Sequence, residues 1–256
     1  MRIPLLIISA ALVLGGAFVA GRVTTPGKLA PVAASEPADQ AAMGKTIRAY
    51  LLANPEVLVE AMQELERKQD NQRDVAAQKV IQERQAELFR DADSPIAGNP
   101  AGDVVIVEFN DYQCPYCKRT HQAMKSVVGA DGKVKVIYKD LPILGEASKI
   151  AALAALASIK QDKHTPLHNA LMEYSGKLDR DKILEIAQSV GLDRARLEQD
   201  MEDPKLKDII ERNLALASAL GVRGTPAFVI GKQFVPGAID AAALRQLIAE
   251  ARKSQG

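Results

Sequence analysis

The sequence contains no tryptophan, and aromatic residues make up only 4% of its 256 residues. It therefore has little aromatic surface on which single-stranded nucleic acid could stack. The formal net charge is +1, so no excess of one sign indicates a polyanion or an acidic partner. These features give nucleic-acid binding little support. With 47% hydrophobic residues, the chain is long enough to bury a large core and to carry an accessory region.

Cysteine is also scarce, because Cys114 and Cys117 are the only two in the chain. Two cysteines are too few for a disulfide-rich scaffold, although an even number suits an oxidising compartment. They lie in the motif CPYC, whose two-residue spacer lets the sulfur atoms approach within bonding distance. Cys114 can then attack a disulfide and Cys117 can resolve the mixed disulfide. The pattern favours redox chemistry by a Cys114–Cys117 disulfide, with no separate cofactor.

The neighbouring residues place this motif between a strand and a helix. Residues 104–107 form a β-branched apolar run, which is typical of a strand buried on both faces. Pro115 suits the first turn of a helix, so Cys114 is predicted at a helix N-terminus, where free N–H groups favour a thiolate. Glu108 directly follows the apolar run. We expect it to be buried, which would raise its pKa toward a useful range for proton transfer.

Two other uses of the cysteines are a structural disulfide and a metal site. A permanent structural disulfide would close only a very short loop and add little stability. A zinc or copper site needs about four ligands, and the remaining candidates are His121, His164 and His168. Nothing in the sequence brings these histidines to the cysteines, and His121 is predicted at the surface. A copper- or zinc-binding protein that uses the same dithiol remains an alternative function.

The second informative segment is GVRGTPAFVIGKQFVPG at residues 221–237. It predicts strands at 227–230 and 233–235 joined by a tight Gly231–Lys232 turn. The dipeptide Thr225–Pro226 precedes the first strand, where a cis proline would turn the chain sharply. Between this segment and CPYC we predict a strand at 133–138 and then helices at 145–160, 166–174, 181–190, 193–200 and 204–220. Asp179 is a predicted N-cap, and a last helix is predicted at 240–253.

The order of a strand, the CPYC motif and a helix resembles that of the DsbA-type thioredoxin-fold oxidoreductases. Two further features carry the same resemblance: Glu108, six residues before Cys114, and the segment GTPAFVIG near the end. The resemblance implies an α/β thioredoxin fold at residues 101–256 with a helical insertion at about 145–220. It further implies that Cys114 is the nucleophile, that Glu108 assists proton transfer beneath Cys117, and that a cis Pro226 lies against the active-site disulfide. The substrate-binding residues implied are Pro115, Tyr116, Thr225 and Pro226.

The N-terminal residues read as an export segment followed by a tether. Residues 2–20 give a charged start and an apolar run, and Val19, Ala20 and Gly21 resemble a cleavage site. The run is also close to the length of about 20 residues that spans a bilayer as a helix. Residues 1–22 are therefore predicted to be a signal peptide or a membrane anchor, with the folded part outside the cytoplasm. Residues 23–42, rich in Pro, Ala, Thr and Ser, are predicted to be a flexible tether.

Residues 43–100 are predicted to form a mainly α-helical oligomerisation stalk and a linker. A short helix at 43–53 precedes Asn54 as N-cap and Pro55 as the first residue of a helix to about Arg90. Its apolar residues lie near the two ends, separated by the charged stretch ERKQDNQRD. Such a helix suits contacts with other chains, and a surface helix folded back on its own domain is the alternative. Residues 91–102 are predicted to be a linker.

The segment ANPEVLVEAMQELERKQ resembles the N-terminal segment of the ScsC (suppressor of copper sensitivity) group of thiol proteins. That resemblance implies a periplasmic, homotrimeric disulfide isomerase that acts on unfolded or misoxidised exported proteins. It also implies a membrane redox partner that resets the dithiol. The CPYC motif does not fix the direction of the reaction, so a monomeric dithiol oxidase or reductase of the same fold remains open.

Overall fold

The computed structural model describes residues 37–254. Contacts divide the chain into two units, residues 1–59 and residues 60–256, which are described separately. The predicted signal or anchor at 1–22 lies outside the described residues. Within residues 37–254, no helix is both long enough and apolar enough to cross a membrane.

The N-terminal region is helical over more residues than predicted. Helix α1 covers Pro37–Ala53, so the last residues of the predicted tether at 23–42 are helical. The predicted helix from Pro55 to Arg90 is two helices, α2 at Glu56–Glu83 and α3 at Gln85–Phe89. They are separated at Arg84, whose guanidinium bonds the carboxylate of Glu87.

A five-stranded mixed sheet forms the centre of the larger unit. Its strands are β1 (Ile96–Gly98), β2 (Val104–Asn110), β3 (Val134–Asp140), β4 (Ala227–Ile230) and β5 (Gln233–Pro236). The order is β1-β3-β2-β4-β5, with β2 and β3 parallel and the other pairs antiparallel. β1 lies inside the segment predicted as a linker at 91–102. The linker prediction is therefore wrong at these residues, because IAG pairs with β3 along the sheet edge.

Helices cover both faces of the sheet, as the predicted thioredoxin fold requires. They are α4 (Pro115–Asp131), α5 (Glu146–Ala157), α6 (His164–Glu173), α7 (Arg180–Ser189), α8 (Arg194–Asp200), α9 (Pro204–Ala219) and α10 (Ala241–Lys253), with a 3-10 turn at Ser158–Gln161. Helices α5 to α9 lie between β3 and β4 in the chain, which is the helical insertion predicted at about 145–220. The predicted N-cap Asp179 accepts a hydrogen bond from the backbone N–H of Lys182.

Alternation along β2 separates the two cores. Ile106 packs with Met124 of α4 and Leu244 of α10 on one face. Val107 and Phe109 pack on the opposite face with helices α3 and α9. Because successive side chains of a strand point to opposite faces, this alternation fixes which residues of β2 and β3 face the CPYC helix α4.

The second half of the predicted stalk packs on the catalytic unit. Ala77 and Ile81 of α2 and Leu88 of α3 are at most 2% exposed, and Ile81 and Leu88 belong to the same core as Phe109. Burying one leucine side chain is worth about 1.5–3 kcal/mol. The idea that all of residues 43–100 stands apart from the catalytic domain is therefore wrong for α3 and the end of α2. For that part, the alternative of a helix folded back on its own domain holds.

Candidate active site around Cys114 and Cys117

Cys114 lies at the N-terminus of α4, as predicted. It is the N-cap residue with extended backbone angles, and Pro115 occupies the first helical turn. Its carbonyl oxygen accepts the backbone N–H of Lys118 at 3.1 Å. Cys114 is 4% exposed and Cys117 is fully buried one turn later. Both sulfurs are free thiols that pack with Tyr112 against the insertion helices, in the core formed by α5 to α9.

The Thr225–Pro226 peptide bond is cis, which confirms the prediction for Pro226. β4 pairs antiparallel with β2, and its first residue, Ala227, lies opposite Phe109. This register brings the loop before β4 to the loop that follows β2. As a result, the Cys114 thiol donates a hydrogen bond to the carbonyl oxygen of Thr225, with an Sγ–O distance of 3.1 Å.

Glu108 is 2% exposed, so the prediction that it is buried is confirmed. Burial, reinforced by the charge of Asp140, raises the pKa of Glu108 to about 8. Burial is also the main reason that the pKa of Cys117 is raised, and the charges of Cys114 and Glu108 add to the effect. The two groups are therefore neutral acids at pH 7 in a shared low-dielectric interior.

Asp111 fixes the loop between β2 and Cys114. One carboxylate oxygen accepts the backbone N–H of Gln113 at 2.8 Å and the hydroxyl of Ser148 at 2.7 Å. The other accepts the backbone N–H groups of Ile143 and Leu144. Asp111 thus ties the CPYC loop to the start of the helical insertion. Asp111 was not predicted as a site residue, because its position between a strand and a helix, which suits an Asx turn, was its only signal in the sequence.

The two residues between the cysteines face outward. Pro115 and Tyr116 are exposed, and the guanidinium of Arg119 lies 4.9 Å from the centre of the Tyr116 ring. A groove of about 740 Å³ begins at Thr225 and Pro226. Its walls come from the loop before β4, from β5 and from residues 70–76 of α2. Of the predicted substrate-binding residues, Pro115 and Tyr116 are therefore exposed, Thr225 is half-buried, and Pro226 is buried at the wall of the groove.

A family model described as DSBA-like thioredoxin domain matches residues 105–249. The chain belongs to this family. A second model, described as Copper resistance protein ScsC N-terminal domain, matches residues 39–72. The two matches confirm the resemblance to DsbA-type oxidoreductases of the ScsC group.

Solved structures agree with this assignment. A thioredoxin-like oxidoreductase from Silicibacter pomeroyi DSS-3 is 45% identical with a TM-score of 0.65, and the match covers 66% of this chain and 98% of that one. The catalytic domain of Proteus mirabilis ScsC is 32% identical with a TM-score of 0.64, covering 69% and 98%.

Curated relatives divide into two kinds. The thiol:disulfide interchange protein DsbA of Bordetella parapertussis is 26% identical over 189 residues, which is 68% of this chain and 89% of that protein. The first curated relatives are Na(+)/H(+) antiporters named NhaA from Salinispora and Herminiimonas species. The chain spans only 21% to 25% of their length.

The DSBA-like domain buries all three histidines, so the prediction of a surface position for His121 is wrong. His121 lies one turn beyond Cys117 on the same buried face of α4 and is 4% exposed. Its ring centre is 5.3 Å from that of His168, which is 5.7 Å from His164. Within residues 37–254, no group of three or more His, Cys, Asp or Glu side chains is placed to hold a metal ion.

His164 should make the domain sensitive to acid. Burial lowers its pKa to about 4, whereas an unfolded histidine titrates near 6.5. The unfolded chain therefore binds the extra proton first, and stability falls as the pH drops from about 6.5 to about 4. His164 alone should lower the free energy of unfolding by about 2–3 kcal/mol between pH 7 and pH 4.5.

Urea unfolding of His164→Phe at both pH values checks this expectation. Neither ring nitrogen of His164 has a hydrogen-bond partner, so the replacement leaves no polar group unpaired. The variant should lose less stability on acidification than the wild type by the amount given above. An equal loss in both proteins would show that His164 does not titrate in this way.

Proposed function

We propose that the protein is a periplasmic thiol–disulfide oxidoreductase that acts as a disulfide isomerase on exported proteins. The observation that carries this proposal is the hydrogen bond from the Cys114 thiol, at the start of α4, to the carbonyl oxygen of Thr225 beside Pro226. It puts the nucleophile, the resolving thiol and the substrate-facing loop in one place. Export follows from the signal-like residues 2–20.

In the proposed reaction, the Cys114 thiolate attacks a substrate disulfide. One substrate sulfur leaves as a thiolate and the other remains joined to Cys114. Isomerisation is complete when a thiol of the substrate itself attacks this mixed disulfide and releases Cys114. Alternatively, Cys117 attacks Cys114, forms the Cys114–Cys117 disulfide and expels the substrate, after which a membrane redox partner restores the dithiol.

Substrate recognition would use the accessible side of the site. Pro115 and Tyr116 border the cysteines, and the groove that begins at Thr225 and Pro226 has the volume of a small-ligand site and an apolar floor including Leu220. An unfolded segment around a substrate cysteine can lie there as an extended chain. These contacts need no defined substrate sequence, which suits a catalyst for many exported proteins.

The proposed isomerase function is tested by measuring how fast a substrate with scrambled disulfides regains its activity. The wild-type protein, reduced beforehand, should restore the substrate in a glutathione buffer well above the uncatalysed rate. The double variant Cys114→Ala, Cys117→Ala should not exceed that rate. Absence of any acceleration by the wild type would remove isomerase activity, and metal bound in reducing buffer would instead favour a copper- or zinc-binding role of the dithiol.

Glu108 is proposed to take the proton of Cys117 during resolution. Glu108→Gln removes the acceptor without changing the shape of the side chain, and resolution should slow by about 10²-fold at pH 8. The fold should persist, because Glu108 is held protonated well above its ordinary pKa and glutamine carries no such penalty. Stopped-flow measurement of mixed-disulfide decay from pH 6 to pH 9 checks this. An unchanged rate across that range would remove the role of Glu108.

A further inference from the structure

Strands β2 and β3 place a second buried carboxyl group on the same face as Glu108. In their parallel register, Glu108 lies opposite Tyr138, and Asn110 lies opposite Asp140. These four alternate positions share one face of the sheet. It is the face covered by α4, because Tyr138 packs in the same core as Met124. Asp140 is 1% exposed and Glu108 is 2% exposed.

Neither carboxyl group is neutralised by a cation among the described residues. The neighbouring Lys139 points to the opposite face, where its ammonium group pairs with Asp91 at 2.6 Å. One oxygen of Asp140, Oδ1, accepts a hydrogen bond from the amide of Asn110 at 3.2 Å. The other, Oδ2, is buried and makes no hydrogen bond. Asp140 is therefore a buried acid with an unused proton site beside the catalytic helix.

The groups around the carboxyl pair of Glu108 and Asp140 add no compensating positive charge. The hydroxyl of Tyr112 bonds Nδ1 of His168 at 3.0 Å, and burial keeps that histidine neutral by lowering its pKa. Asn213 of α9 contributes only an amide, which bonds the backbone oxygen of Asp140. The ionisable groups that interact with the pair are Cys117 from α4, Asp111 and Tyr112 from the CPYC loop and Tyr138 from β3. His168 of α6 contacts both tyrosine rings, and Lys118 is the nearby cation of α4.

Lys118 does not alter this balance. Its ammonium group donates a hydrogen bond to the backbone oxygen of Tyr174 and is attracted by Asp111, and burial lowers its pKa. Two carboxylates buried side by side repel each other, so Glu108 and Asp140 do not both ionise easily. Burial raises the pKa of Asp140 to about 7, and that of Glu108 lies at about 8. Between these values, the two carboxyl groups together hold one proton.

We propose that Asp140 is a positioning residue that shares this proton with Glu108, so that the pair can both accept a proton from Cys117 and return one. The inference rests on the proposed function, because it concerns the same redox step. In resolution, Cys117 gives its proton to Glu108, whose carboxylate forms when the shared proton lies on Asp140. Its sulfur then forms the bond to Cys114, and the bond from Cys114 to the substrate sulfur breaks, with the electron pair leaving on the substrate thiolate.

The reverse step uses the protonated member of the pair. A substrate thiolate attacks Cys114, the Cys114–Cys117 bond breaks, and Cys117 leaves with the electron pair and takes the proton. An isomerase must run both steps at one pH. A single buried acid offers mainly one protonation state at a given pH, whereas a pair with one proton always contains one carboxylate and one carboxylic acid.

Carboxyl ¹³C NMR on the wild-type protein at about pH 7.5 counts the protons on Glu108 and Asp140 directly, since this pH lies between the pKa values of the two groups. Glu108→Gln and Asp140→Asn assign the two signals. One ionised and one protonated carboxyl group is the expected result. Two ionised or two protonated groups would overturn the proposal, and this outcome does not require any variant to be active.

The pH dependence of mixed-disulfide resolution tests the coupling. Asp140→Asn removes the negative charge beside Glu108. The pH midpoint of the resolution rate should therefore fall by about one unit, which makes resolution about tenfold faster on the acid side of the midpoint. Asp91→Asn is the matched control. It breaks the buried ion pair with Lys139 on the other face, so it should lower stability without moving the midpoint.

These outcomes separate the inference from the function. If the wild type catalyses no thiol–disulfide exchange, the proposed function fails, while carboxyl NMR still decides the inference. The Glu108 signal of Asp140→Asn should titrate at a lower pH than that of the wild type, and an unchanged titration would show that the two groups are not coupled. If the wild type is active and a folded Asp140→Asn keeps the wild-type midpoint, the inference alone fails. Restoration of that midpoint by Asp140→Glu would show that the carboxyl group, rather than the packing of the side chain, is responsible.

Discussion

Replacing Cys117 by alanine is expected to leave the protein joined covalently to its substrates, whereas replacing Cys114 by alanine should abolish such complexes. Cys114 alone lies at the helix N-terminus, where its thiol bonds the carbonyl oxygen of Thr225, and we expect it to attack substrates even when Cys117 is absent. Cys117 is fully buried, and its thiol is held protonated by its raised pKa. We therefore expect Cys117 to attack the mixed disulfide at Cys114 and not to attack a substrate first.

Non-reducing gels of periplasmic extracts, followed by mass spectrometry of the trapped species, measure the difference. The double variant is the control for nonspecific complexes. Activity of Cys114→Ala on a disulfide substrate should fall to the uncatalysed rate, a loss of several orders of magnitude. Equal trapping by the two single variants would contradict the assignment of roles.

The second large effect is expected from the exposed apolar side chains of the N-terminal helices. Eight large hydrophobic side chains are at least 50% exposed there: Met43, Ile47, Tyr50, Leu52, Leu58, Val59, Met62 and Leu65. All lie in the region that matches the ScsC N-terminal domain. Exposed apolar patches of this kind mark interaction surfaces, and closed symmetric assembly of identical chains is the usual way to cover them. We therefore propose that three copies associate through these helices.

Assembly would supply what an isomerase requires. Several active sites around one cleft raise the effective concentration of thiol at a bound substrate, which favours reshuffling over a single oxidation. Simultaneous replacement of Leu58, Met62 and Leu65 by glutamine should dissociate the assembly and reduce isomerase activity at least tenfold. Each residue is already exposed in the single chain, and glutamine is a good helix former, so α2 itself should remain folded.

Val75→Gln is the matched control for this triple variant. Val75 is 71% exposed on the same helix, but it lies beyond the matched residues 39–72. Light scattering should report a trimer for the wild type and the control and a monomer for the triple variant. A monomeric wild type, or a monomeric variant with undiminished isomerase activity, would overturn the proposal.

Substitution is a better test than truncation near Asn99. Such a truncation would remove β1 and also Leu88, which is fully buried against the sheet. Loss of a large buried side chain costs about 2–5 kcal/mol, so reduced activity would then reflect damage to the catalytic unit.

The parts of the fold that were predicted correctly carry strong local signals. The β-branched run at residues 104–107, the proline after Cys114 and the TP dipeptide before β4 each restrict the backbone at their own position. The aspartate N-cap of α7 is equally local. These signals predicted Cys114 at a helix N-terminus and a buried Glu108, and the resemblance to DsbA-type proteins implied that Pro226 lies against the cysteines.

The missed features depend on contacts between residues far apart in the chain. β1 has only three residues, too few to show an alternating pattern, and it forms because β3 offers an edge. His121 has no sequence signal for burial, and the insertion helix that carries His168 covers it. Asp140 stands at the end of an ordinary strand, and only the register with β2 brings it to the face of Glu108.

The reduction potential of the purified protein tests the central claim most directly. In glutathione buffers of graded ratio, alkylation and intact-mass measurement should show Cys114 and Cys117 passing reversibly between dithiol and disulfide. The midpoint should lie within the range of thioredoxin-like proteins, about −270 to −120 mV. Cysteines that stay reduced, or that oxidise irreversibly, across that whole range would contradict a redox-active site at CPYC.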